Sequence, residues 1–376
     1  MEIFPDFSDL NQSVGNYVVW LLVFVQLFWL LFFYLRIVIH KEKNNETLPP
    51  ISVIIAAKNE EENLQEFLPA ILEQNYPEFE VIVINHQSRD STLYILKDFE
   101  KRYPNLRIID IQDSTHLMYG KKLPITLGVK GAKYENLLFT DADCRPASSS
   151  WIREMAAKYS EQKSIVLGYA PYEKKEGFLN KWIRIDTTFI ALNYLSYAKA
   201  GVPYMGVGRN LAYTKDLFMT NGGFKMHYTI ASGDDDLFIQ EVVKNKNYTI
   251  SLSPDSFCYS EPEITWENWM SQKGRHLTTA PRYPLIKKLL LGIYPLSVIL
   301  LFLSFVPLLV LNWFNWFTIG LIGVLISVKW IVLGMAFKRL EQKSFMGSIL
   351  FWDLFYAFFA PIIYFKANKT TKKKWK

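Results

Sequence analysis

The stretch "ISVIIAAKNEEENLQEFLPAILEQ", residues 51–74, decides the reading of the fold. It opens on an apolar, β-rich run at 51–57, then becomes helical, with Leu64, Phe67, Leu68, Ile71 and Leu72 on one face. "EVIVINHQSRDS" repeats the pattern with a strand at 80–85, a polar loop and a helix over 91–102. "NLRIIDI" is a third strand, and "ENLLFTDAD" is a fourth that follows a short helix near 123–132. Strands alternating with helices predict an α/β domain, a mainly parallel sheet with helices on both faces. Ligands of such sheets bind beyond the carboxyl ends of the strands. The polar strand ends "AKNE", "NHQSRD" and "TDAD" should therefore share one edge.

On either side of this core the composition changes. Of the 376 residues half are hydrophobic, and they are unevenly placed. Residues 17–39 form an apolar run interrupted by Gln26 before Arg36, long enough to cross a bilayer. Its acidic start (Glu2, Asp6, Asp9) and the lack of small residues after it favour a retained anchor over a signal peptide. Two further spans are predicted at 288–311 and 314–337, and a third apolar stretch, 346–365, is broken by Asp353 and Pro361. The expected organisation is an anchor at 1–40, a soluble domain at 41–285 and a membrane region with a basic tail at 286–376. Arg36, Lys41, Lys43, Arg282, Lys287, Lys288, Lys338, Arg339 and Lys343 place the middle domain in the cytosol of an inner membrane. A last segment that does not cross keeps the lysine-rich tail on that side as well.

Two charges lie within the predicted spans. Lys329 stands eight residues before Phe337, and Asp353 eight after Phe345. In antiparallel helices rising 1.5 Å per residue, both sit about 12 Å from the cytosolic ends. Lone charges at that depth are costly, so the two should pair.

The two cysteines suit a reducing compartment, and the five histidines show no HExxH. The net charge of +6 owes much to the tail "KANKTTKKKWK", which suits anionic lipid headgroups better than nucleic acid. The chemistry-bearing stretches are "LLFTDADCRP" (137–146), "YMGVGRNLAY" (204–213), "SGDDDLF" (232–238) and "QKGRH" (272–276). In an extended strand Asp141 and Asp143 point the same way, and a cation between them relieves their repulsion.

Taken in this order, the motifs over about 50–280 resemble the inverting, membrane-associated family-two glycosyltransferases of the nucleotide-diphospho-sugar (GT-A) fold. The resemblance implies that Ala57, Glu60, Asn85 and Asp90 border the nucleotide, although Asn85 and His86 replace the family's usual acidic pair. Ser88 and Thr92 match the same loop. It implies that Lys121 of "YGKK", with Gln272 and Arg275, approaches the diphosphate. Asp143 would hold Mg2+ or Mn2+, and Asp141 would hold the ribose or a metal-bound water. Gly206 and Gly208 would shape the acceptor pocket. Asp234 would be the general base, with Asp235 the alternative and Asp236 a structural carboxylate. His276 stands where the family has tryptophan, and Trp266 and Trp269 are nearby candidates for an aromatic platform.

The partners implied are a nucleotide-diphospho-sugar donor, membrane lipids, and a lipid, lipid-linked or polysaccharide acceptor. Residues 178–201 either lie in the membrane interface on one apolar face or form a buried core helix. A non-catalytic membrane scaffold or sensor with the same fold is the alternative function. A nucleotidyltransferase would need a glycine-rich phosphate loop, which "AAKNEEEN" is not.

Overall fold

The computed structural model describes residues 7–111, 120–230, 232–311 and 315–369. The chain forms two compact units, one of Met1–His40 with Pro284–Ile363, the other of Lys41–Tyr283 with Tyr364–Lys376.

The second unit is built on a seven-stranded sheet. Its strands are β1 (Ile51–Ala57), β2 (Phe79–His86), β3 (Leu106–Ile111), β4 (Asn136–Asp141), β6 (Ile165–Leu167), β7 (Leu211–Thr214) and β8 (Tyr248–Ile250). Their order is β3-β2-β1-β4-β7-β6-β8. Neighbours run parallel except β7, which is antiparallel to β4 and β6. All seven residues of β1 are buried, as expected of a central parallel strand covered on both faces. Its one polar residue, Ser52, donates to Glu80 Oε1 at 2.6 Å, and Glu80 is also paired with Arg107. Helix Glu61–Leu72 buries Leu64, Phe67, Leu68, Ile71 and Leu72, the five residues its periodicity points to.

Helix Lys122–Gly131 lies unusually close to the sheet. A Cβ added at Gly128 would sit 2.7 Å from both Ile54 and Ile84, so only glycine permits this approach. The contact sets the height of the helix start, where Lys121 and Lys122 stand. After β4 the chain forms β5 (Cys144–Pro146), which pairs antiparallel with β9 (Cys258–Ser260). That ribbon was not evident from the apolar pattern, because each strand is only three residues long.

Residues 178–201 resolve as a core helix, not an interfacial one. Helix Phe178–Lys199 buries Trp182, Phe189, Tyr194 and Tyr197 among many others. Trp182 meets Trp269 edge to face at 6.3 Å, and the Tyr194 hydroxyl donates to the Gly168 carbonyl at 2.5 Å. Asp186 pairs with Lys273.

The first unit is helical. Among the described residues, four helices are long and apolar enough to cross a membrane: Gln12–Val38, Leu285–Val310, Trp316–Arg339 and Lys343–Ala367. The last, whose apolar run is interrupted by Asp353 and Pro361, is a continuous helix over Ile349–Lys369 with Pro361 inside it. Asp353 is accommodated because Lys329 Nζ lies 2.7 Å from its Oδ2.

Candidate active site

The strand ends meet on one edge, as expected. Ala57 pairs with Asn85 in the ladder, and Ala56 with Asp141. Beyond the edge, the loops after β1 and β2 are stitched together. Asn59 N donates to Ser88 Oγ at 2.9 Å, Glu60 N to Thr92 Oγ1 at 2.8 Å, and Arg89 N to Asn59 Oδ1 at 2.8 Å. Asn59 and Gln87 take left-handed φ values of 53° and 55°, which turn the two loops. Asp90 accepts from Glu61 N at 3.3 Å and Thr92 N at 3.1 Å. Burial works to raise its carboxyl, but bonds from Thr92 and Glu61 prevail and hold it below the ordinary value. Asp90 thus has a stitching task that its motif did not announce.

Glu60 accepts from Asn63 Nδ2 at 2.6 Å. Asn85 and His86 are both buried. Asn85 donates to Asp110 Oδ1 at 2.6 Å, and its own Oδ1 has no partner among the described residues. Burial, and then the charge of Lys58, push His86 down to about 4, so its ring is neutral at pH 7.

At the end of β4, Lys121 Nζ is 2.6 Å from Asp141 Oδ2. Burial would raise the Asp141 carboxyl, but Lys121, with Arg209 and Arg275 nearby, holds it below the ordinary value. Asp143 is placed by the β5–β9 ribbon: Glu261 N donates to its carbonyl at 3.2 Å, and Ser260 Oγ to its Oδ2 at 3.5 Å. Arg209 stacks its guanidinium 4.2 Å over the Tyr172 ring, and the Tyr172 hydroxyl donates to Gln272 Oε1 at 3.2 Å. The Arg209 Nη1 is buried without a hydrogen-bond partner among the described residues.

The three consecutive acids are differentiated by their partners. Asp236 starts helix Asp236–Val242 and accepts from Thr279 at 2.5 Å and Tyr283 at 2.6 Å. Asp235 accepts from Gly208 N at 3.0 Å and Asp236 N at 2.8 Å. Burial, then the charges of Asp234 and Asp236, push Asp235 up to about 8. Asp234 accepts no hydrogen bond from another described residue. It lines a cleft with Ala56, Thr140, Asp141 and Gly208. A Cβ on Gly208 would lie 3.8 Å from Asp234 Oδ2, so the backbone there runs beside the acid pair.

The structure thus brings Asp141, Asp234 and Gly208 to one cleft, with Lys121 and Arg275 near Asp141. Trp269 is buried in the core, whereas Trp266 is 40% exposed. Sequence reasoning missed Lys122, Arg209, Tyr172, Thr279 and Tyr283. Arg209 lies inside the glycine-rich stretch already singled out, and a cation directly after Gly208 was the available signal. The others carry no motif, since their roles come from tertiary contacts.

A match to Glycosyl transferase family 21 covers residues 18–376. The chain belongs to this family. It is similar to the glycosyltransferase AglE of Haloferax volcanii, 38% identical over 27% of this chain and 32% of that one. It is also similar to the poly-beta-1,6-N-acetyl-D-glucosamine synthase of Staphylococcus epidermidis, 29% identical over 35% and 33%. The probable glycosyltransferase YdaM of Bacillus subtilis is 24% identical over 62% of this chain and 56% of that one. The chain thus spans about a third of the length of the first two relatives. Among solved structures, the mannosyltransferase PcManGT of Pyrobaculum calidifontis, in complex with GDP-Man and Mn2+, superimposes with a TM-score of 0.55. That match covers 92% of this chain and 99% of the other at 17% identity, a likeness of fold. The GT-A fold that the resemblance implied is therefore the observed one.

Proposed function

We propose that this family 21 member is an inverting, metal-dependent glycosyltransferase. It moves a sugar from a nucleotide-diphospho-sugar to a hydroxyl of a lipid, lipid-linked or glycan acceptor at the membrane. The observation that carries the reading is Asp234: the one acid of its cluster without a described hydrogen-bond partner, lining the cleft that holds Asp141. An unengaged carboxylate can take a proton from an acceptor hydroxyl, whereas Asp235 and Asp236 already spend their oxygens.

The donor half is assigned on charge and hydrogen-bonding capacity. Asn85 Oδ1 offers the nucleobase an open acceptor. Lys121, Arg209, Gln272 and Arg275 would supply cations and an amide for the diphosphate, and Glu60 is assigned to the base and ribose by the resemblance. Asp141 and Asp143 fit a divalent cation that arrives with the diphosphate, because such an ion is commonly held by one or two carboxylates plus phosphate oxygens. When bound, Mg2+ or Mn2+ would neutralise the leaving diphosphate.

Asp234 removes the acceptor proton as the acceptor oxygen attacks the anomeric carbon and the bond to the diphosphate oxygen breaks. A single displacement inverts the configuration. No covalent nucleophile is required. The basic residues flanking the predicted spans support an inner-membrane protein whose sheet unit faces the cytosol. The test is the anomeric configuration of the product by NMR, using a donor of known configuration. Inversion is expected, and retention would refute the single displacement.

A further inference from the structure

Adjacent lysines at the start of one helix serve different parts of the second unit. Lys121 pairs with Asp141. Lys122 is 5% exposed, and its Nζ donates to three backbone carbonyls: His227 at 2.6 Å, Ser232 at 2.7 Å and Ile230 at 2.8 Å. An ammonium has three N–H donors, so all are used. The three carbonyls belong to the segment that leads directly into Gly233 and Asp234.

The segment is held at other points too. His227 Nδ1 is 2.8 Å from Glu241 Oε1, on the helix that follows the acids. Gly233 takes φ +100°, and a Cβ there would stand 2.8 Å from Leu237, so the chain makes a tight turn just before Asp234. Burying an ammonium is costly unless its donors are satisfied. A hydrophobic side chain could fill the same space, but it could not draw three carbonyls to one point.

We propose that Lys122 is a positioning residue for sugar transfer: it clamps the backbone at His227, Ile230 and Ser232 and so aims Asp234 at the acceptor hydroxyl. This rests on the reading of Asp234 as proton acceptor. Because Lys122 follows Lys121 on a helix seated at fixed height by Gly128, the clamp also ties the acid loop to the donor half of the cleft. Misplacing a catalytic group by about 1 Å costs on the order of 100-fold in rate.

The experiment uses the full chain in nanodiscs, with K122M, K122R and D234N compared under saturating donor and Mn2+. Binding of UDP and GDP, each with Mn2+, is measured by calorimetry. K122M should lose about 100-fold in kcat while the donor KM and the nucleotide affinities stay within about twofold. K122R, which keeps the charge but not the geometry, should be intermediate in kcat with the same KM, and it decides the matter where K122M does not fold. Wild-type kcat in the folded variants, or a rise in KM that accounts for the defect, overturns the clamp. An active D234N would remove the base assignment and with it the aiming role, whereas an inactive D234N beside a fully active K122M would overturn the clamp alone.

Discussion

Lys329 Nζ lies 2.7 Å from Asp353 Oδ2 inside the helical unit, joining two charges 24 positions apart in sequence. Gln26 Oε1 accepts from the same ammonium at 2.7 Å, and the Tyr294 hydroxyl donates to Asp353 Oδ1 at 3.0 Å. Four helical segments therefore contribute to one buried polar cluster, completed by Gln26 Nε2 donating to the Ser297 carbonyl. Removing one partner of a buried pair typically costs about 3–5 kcal/mol. K329D and D353K alone should each lower the melting temperature and the folded yield in detergent. The double variant K329D/D353K should recover most of both. Failure of the exchange to rescue would show that the cluster does not depend on this pair.

Asp235 gives a pH signature. Burial, then Asp234 and Asp236, push it up to about 8 from an ordinary value of 3.8. Between those values the native chain retains a proton that the unfolded chain has lost. Its contribution to stability is thus full below the lower value and is lost as pH rises through the upper one. The melting temperature of the wild type should fall relative to that of D235N, which cannot titrate, as pH rises from about 4 to about 8. Parallel curves would mean that Asp235 titrates normally.

Asn210 holds the start of β7 at the site edge. Its amide donates to the carbonyls of Tyr169 and Ser256, both at 2.8 Å, and its Oδ1 accepts from Trp151 Nε1 at 3.0 Å. Asn210→Ala strands all three buried groups, at about 1–3 kcal/mol for each one left unpaired. A marked drop in thermal stability is expected, with reduced turnover from displaced Gly208 and Arg209. A melting curve like that of the wild type would count against this role.

Lys121 and Arg209 should act on the donor more than on the chemistry. Lys121→Met and Arg209→Met each remove a cation near Asp141, and the donor KM should rise about tenfold or more, as for a lost charge-assisted bond. Equal KM values with a reduced kcat would move these residues from binding to the transfer step.

Much of the fold was legible in local pattern. The strand and helix of 51–72 follow from a run of β-formers and a 3.6-residue apolar face, and the shared edge follows from parallel connectivity. The pair Lys329–Asp353 was legible because two charges at matching depth in apolar helices have few other remedies. The division of labour among Asp234, Asp235 and Asp236 was only partly legible. It depends on Gly208, Thr279 and Tyr283, which lie 27, 43 and 47 positions from the acids they serve. Lys122 was hidden for the same reason: its partners are carbonyls, which no side-chain motif can mark. The 178–199 helix was ambiguous because one apolar face serves a core as well as a bilayer, and its burial resolved the matter.

The most direct test of the central claim is nucleoside diphosphate release by the full chain in membranes, over a panel of nucleotide-sugar donors with lipid extracts as acceptors. Release of a nucleoside diphosphate with at least one donor, stopped by chelation, restored by Mn2+ and abolished by D143A, is the predicted result. Pyrophosphate as the product, or no release with any donor, would contradict it.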